Sequence, residues 1–156
     1  MGSDGSMEKQ IYDYIRSIGI KIDITTEPLL DKVHNIFKFY DMVCPEEIEE
    51  VFISQKIDPN GNIQYEDVAF FSDSYFMIAR DFTRTDDFFM YDIESNIISW
   101  NIKKRKFNFR KARDDSMMSL TFSIRNSDFD HYLRAQGENC IKLRDLFNRY
   151  VMTNME

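Results

Sequence analysis

The chain is poor in the residues that build reactive sites or unusual backbone. Among 156 residues there are two cysteines, two histidines, one tryptophan, three prolines and five glycines. Cys44 and Cys140 lie far apart, without a CxxC pair or a histidine-rich neighbourhood, so two free thiols in a reducing compartment are expected and zinc or dithiol chemistry is not. No apolar run approaches the roughly 20 residues of a spanning helix, and no basic segment followed by an apolar one opens the chain. Neither a membrane span nor a secretory signal is expected. The expected location is intracellular, in the cytoplasm or peripheral on a cytoplasmic membrane face. There is no G-x-S-x-G, P-loop, H-E-x-x-H or dinucleotide fingerprint. His34 falls within a helical pattern and His131 follows Asp130 in a polar stretch read as a turn, neither with a partner at a telling spacing. Abundant carboxylates do not by themselves make an acid–base pair. The expected class is a non-enzyme without a cofactor.

What the chain does contain is core material. Hydrophobic residues make up 43%, with 14 Phe and 8 Tyr, too apolar for a disordered tail. The formal net charge is −7, but residues 1–100 hold 8 basic and 20 acidic side chains, net −12, whereas residues 101–156 hold 12 and 7, net +5. The average hides a basic end.

Residues 1–6, Met-Gly-Ser-Asp-Gly-Ser, precede a second Met at Met7 and read as a vector-derived leader; they also fit the N-myristoylation pattern, with Gly2 as acceptor and Ser6 in place. Residues 7–45 read as a helical segment. Ile11, Tyr14, Ile15 and Ile18 fall at helical spacing before Gly19, and a second helix capped by Thr26, with Pro28 in its first turn, carries Leu29, Leu30, Val33, Phe37 and Tyr40 up to Cys44-Pro45. Residues 46–156 form the second unit. Within it, residues 46–57 fit a helix or a strand. The runs 63–69, 75–80, 87–93 and 97–102 read as antiparallel strands separated by polar turns. Ile98, Trp100 and Ile102 alternate on one side of Lys103-Lys104-Arg105-Lys106, and Phe107 and Phe109 on the other, which predicts a hairpin with a basic tip. Met118, Leu120, Phe122 and Ile124 give a further strand. Ser127 to Gly137 reads as a short turn or helix carrying Phe129, Tyr132 and Leu133. A last helix, capped by Asn139, carries the stripe Cys140, Leu143, Phe147, Tyr150 and Val151.

This order predicts an α+β fold: two helices, a meander of six to seven strands and a closing amphipathic helix. Residues 69–78 as a hairpin, the 92–97 turn into the Trp100 strand, and residues 140–150 as the closing helix resemble the pleckstrin-homology superfold over residues 46–152. The resemblance implies a half-open antiparallel barrel plugged by the last helix. The helical prefix and acylatable start are also similar to the small acylated pleckstrin-homology-like proteins of apicomplexan parasites, including the inner-membrane-complex subcompartment proteins. Phosphoinositide-reading members carry converging cations on the first hairpin, but the matching turn here, Asp58-Pro59-Asn60-Gly61-Asn62, carries none. Fold does not fix function.

Two segments could carry function. Lys103, Lys104, Arg105, Lys106, Arg110, Lys111 and Arg113 are seven cations in eleven residues, interleaved with Phe107 and Phe109. Such a cluster suits an acidic protein partner or an anionic phospholipid surface, at about 1 kcal/mol per cation near the latter. Alternatively, it is a solvated hairpin whose phenylalanines belong to the core. Nucleic acid comes last, because the net charge is negative and no recognition motif is present. The other segment, Asp58, Asn60, Asn62 and Asp67 after Glu46 to Phe52, resembles an EF-hand and offers a calcium-responsive regulator as the alternative function. Its Gly61 comes early and its closing residue is Asp67 rather than Glu, so a plain Pro-Asn-Gly turn competes with that reading.

Overall fold

The computed structural model describes residues 3–18, 27–84, 97–99, 102–112, 115–125 and 130–154. Two helices, α1 (Ser3–Ser17) and α2 (Glu27–Val43), precede seven strands. These are β1 (Glu50–Ile57), β2 (Ile63–Phe71), β3 (Tyr75–Ala79), β4 (Ile97–Ser99), β5 (Ile102–Ala112), β6 (Asp115–Ile124) and β7 (Asp130–Gln136). A last helix, α3 (Asn139–Leu146), runs into one π-helical turn at Phe147–Val151. The strands make two antiparallel sheets, in the orders β1-β2-β3-β4 and β5-β6-β7. The α+β class and the order of helices, meander and closing helix are as expected. The sheets do not merge into one closed ladder among the described residues. The expected strand 87–93, Thr26, Trp100, Ser127 and Phe129 lie outside the described residues.

The first sheet is buried on both faces. Residues 51–55 of β1, 67–71 of β2 and 76–79 of β3 are each continuously buried, which requires a layer on either side. On one side lies α2: Phe37 and Tyr40 pack their rings on Phe70 at 5.8 and 6.0 Å, and the Tyr40 hydroxyl donates to the Ile78 carbonyl at 2.7 Å. The neighbouring residue Phe71 points the other way, onto Tyr150 at 5.3 Å, as does Phe76 onto Phe122 at 5.2 Å. One core therefore runs from α1 through both sheets to α3.

Continuous burial also explains why residues 46–57 were ambiguous. They hold strand β1 from Glu50 and no helix. Residues 130–136, expected within a turn or short helix, are instead strand β7. Its inward residues His131, Leu133 and Ala135 are buried opposite Phe122, Leu120 and Met118 of β6. Gly137, at φ +57°, then turns the chain into α3.

The sheets are tied where β1 runs past β7. The Ser54 hydroxyl accepts from the Arg134 N–H at 2.9 Å and the Gln55 side-chain oxygen from the Gln136 N–H at 3.0 Å. Here the β1–β2 register shifts between Ile53 and Gln55, so the Ile53 backbone turns to side chains. Its N–H donates to the Tyr14 hydroxyl (2.8 Å), which donates to the Asn139 side-chain oxygen (2.8 Å); the Asn139 amide donates to the Ile53 carbonyl (3.0 Å) and to Gln55 (2.9 Å). Asn139 is therefore a buried cross-link that ties α3 to α1 and β1 and not the cap of α3, which has no side-chain cap. Burial pushes the Tyr14 phenol well above its usual range and keeps it neutral.

Candidate functional site

The basic tract is not a hairpin tip. Lys103, Lys104, Arg105 and Lys106 lie inside β5, which runs unbroken to Ala112, and the hairpin closes at the Ala112–Asp115 pair. A strand accommodates four consecutive cations because Lys103 is the extra residue of a register shift between Ile102 and Lys104. Lys104 and Lys106 then face water, and β5 is the outer strand of its sheet, where lysine is well tolerated.

Pairing to β6 sorts the tract by face. Arg105, Phe107 and Phe109 sit opposite Phe122, Leu120 and Met118 on the core side. Lys104, Lys106, Asn108 and Arg110 sit opposite Ser123, Thr121, Ser119 and Met117 on the water side. The two phenylalanines separate. Phe107 stacks on Phe147 with ring centres 4.5 Å apart, while Phe109 is 54% exposed near the end of the strand. Arg105 is half-buried, with one guanidinium nitrogen that has no hydrogen-bond partner. Arg113 and Gly2 lie outside the described residues.

Five cations, Lys103, Lys104, Lys106, Arg110 and Lys111, are exposed, and none makes an ion pair among the described residues. Other basic residues of the C-terminal third are engaged: Arg134 holds Glu66 at 3.0 Å, Lys142 holds Glu50, and Arg149 holds Glu49 and Glu50 at 3.2 and 3.4 Å. Beside β5 a groove of about 380 Å³ is lined by residues of both faces, among them Lys106, Arg110, Arg134, Phe109 and Met118. A larger groove of about 840 Å³, not expected from sequence, lies between α1 and α3, where Lys9, Asp13, Glu138, Lys142 and Asp145 mix both signs.

The calcium set does not assemble. The segment expected as an entering helix is β1, and Asp58 to Asn62 close the β1–β2 hairpin. The Asp58 carboxylate accepts from the N–H groups of Asn60 and Asn62 at 2.9 and 2.8 Å, with Gly61 at φ +85°. Asp67 lies four residues into β2, about 13 Å along the strand from Ile63. There it is buried and accepts from the Asp81 N–H at 2.8 Å. Among the described residues, no three His, Cys, Asp or Glu side chains gather as a metal site.

His131 is buried inside β7, not placed in a polar turn as its sequence context suggested. Arg80 donates to its Nδ1 at 3.1 Å, which puts the ring proton on Nε2, a buried nitrogen without a partner among the described residues. Burial, reinforced by the Arg80 charge and opposed by Asp130, holds its pKa down to about 4.

Sequence reasoning found the β5 cations but missed Tyr14, Gln55 and Asn139, because a buried polar cross-link between distant segments leaves no periodic trace. No protein-family model, curated protein or solved structure matches this chain.

Proposed function

We propose that the chain is a non-enzymatic interaction module of pleckstrin-homology-like build that docks on an acidic protein partner through β5. Its half-open barrel would consist of the two sheets plugged by α3, with α1 and α2 as an added outer layer. The order of a four-stranded sheet, a three-stranded sheet and a helix supports that build. One observation carries the docking reading: five exposed cations on a single strand make no ion pair among the described residues, whereas Arg134 of β7, Lys142 of α3 and Arg149 of the closing turn are paired. Complementary charge of this kind speeds and orients encounter, and it weakens with salt.

The exposure of Phe109 beside Arg110 favours a second reading, peripheral docking on an anionic phospholipid surface with this ring at the interface. The test is retention on polyglutamate resin and co-sedimentation with phosphatidylserine vesicles. The variant Lys104→Glu/Lys106→Glu/Arg110→Glu should lose whichever ligand the wild type holds. Equal retention of both proteins on both ligands removes β5 as the site.

A further inference from the structure

The strand β5 offers more than charge. It is the outer strand of the β5-β6-β7 sheet, and its ladder to β6 uses only one of its edges. On the other edge, Ile102 donates to the Asn154 carbonyl at 3.2 Å, and among the described residues nothing further bonds to the backbone of residues 103–111. Alternate residues of an outer strand point their N–H and C=O groups outward, so this edge presents a hydrogen-bonding row about 30 Å long that is unused among the described residues.

Resting on the docking reading above, we propose that the partner completes this edge as an added strand, an extended segment in which acidic residues alternate with apolar ones. The alternation follows from β5 itself. Side chains on an added strand would lie about 4.5–5.5 Å from their direct cross-strand neighbours. On the water face those neighbours are Lys104, Lys106, Asn108 and Arg110, three cations that call for carboxylates and one amide that can donate to them. On the core face they include Phe107 and Phe109, and Phe107 is already stacked on Phe147, so apolar side chains there would extend an existing aromatic row. A second copy of this chain is the wrong occupant. Two β5 edges laid together would set lysines and arginines against each other, and like charges directly opposite are destabilising. A lipid surface answers the cations but not the regular row of backbone groups.

The probe is the peptide acetyl-(Glu-Val)5-amide, titrated into the full chain beside two versions N-methylated at one or the other set of alternate residues. Methylation removes donors from one edge of the peptide at unchanged charge. The unmodified peptide should bind, one methylated version should bind at least ten-fold more weakly, and amide exchange should slow at alternate residues within 103–111. Lys104→Glu/Lys106→Glu, two exposed positions, should abolish binding. If both methylated peptides bind as the parent does and β5 exchange is unchanged, strand addition is overturned, while loss of binding in the charge-reversed variant would leave the docking reading standing. Binding to phosphatidylserine vesicles with no binding of any peptide overturns the strand-addition inference and assigns β5 to lipid. Binding to neither overturns both readings.

Discussion

The two sheets of this molecule solve the same problem in opposite ways. The four-stranded sheet hides both faces over residues 51–55, 67–71 and 76–79, with α2 on one side and Phe122 and Tyr150 on the other, and most of the residues in these stretches are apolar. The three-stranded sheet hides one face and leaves the β5 side of the other to water, with Lys104, Lys106 and Arg110 exposed on its outer strand. The doubly covered sheet can hold the fold, and the half-covered one is left to meet something else. The helices that precede residue 46 share a core with the sheets.

The largest test of the comparison is to remove a ring from the helix layer. Phe37→Ala should cost about 3–5 kcal/mol, because Phe37 is fully buried against Phe70 and the pocket cannot collapse around the gap. Phe109→Ala, on the exposed strand, should stay within about 0.5 kcal/mol. Equal losses in urea unfolding would erase the distinction between the sheets.

Acid should act on the inner face of the three-stranded sheet. His131 titrates near 4 in the fold against 6.5 for a free side chain, so between those values the unfolded chain binds more protons. Stability from this group is therefore present above about pH 6.5, falls as the pH drops through that window, and is gone below about 4. The loss should be roughly 3 kcal/mol. The buried Asp67, whose pKa burial raises, works in the opposite direction but is present in any His131 variant. The difference in slope between wild type and His131→Asn over pH 4 to 6.5 isolates the histidine. Parallel slopes would show that His131 is not held neutral.

A smaller effect should come from the seam between the sheets. Asn139→Ala leaves the Tyr14 hydroxyl and the Gln55 side chain short of a partner in a buried place, which should cost about 1–3 kcal/mol. In the double variant with Tyr14→Phe the penalties should add less than fully, because one hydrogen bond is counted in both. Full additivity would mean that the two groups are not coupled.

Legibility followed the same contrast. Strand β6 was readable because apolar Leu120, Phe122 and Ile124 alternate with polar Thr121 and Ser123, so the residue types carry the strand period although Ser123 is itself buried. Strand β1 was not, because a segment buried on both faces carries no period to separate strand from helix. Strand β7 was mistaken because Tyr132 and Leu133, following Phe129, fall at helical spacing. In the fold Tyr132 is exposed, with the Arg134 guanidinium 5.4 Å from its ring centre, and Leu133 alone of that pair is buried. The cations of β5 were visible as a run, but their sorting onto two faces depends on a one-residue register shift at Lys103 that composition does not encode.

The smallest expected change in stability belongs to the candidate site. Lys106 is exposed, without an ion pair among the described residues, and opposite Thr121 on the water face, so Lys106→Glu removes no packing and breaks no bridge among them. Its unfolding midpoint should shift by no more than about 0.5 kcal/mol. Relief of repulsion from Lys104 on the same face should, if anything, make the sign stabilising, as expected where like charges are neighbours along one strand face. The same substitution should weaken retention on polyglutamate resin, and the difference from wild type should shrink as salt is raised. A residue whose charge serves the fold would lose stability and binding together. A residue kept for a partner should lose binding alone, and that separation is what the half-covered sheet predicts for β5.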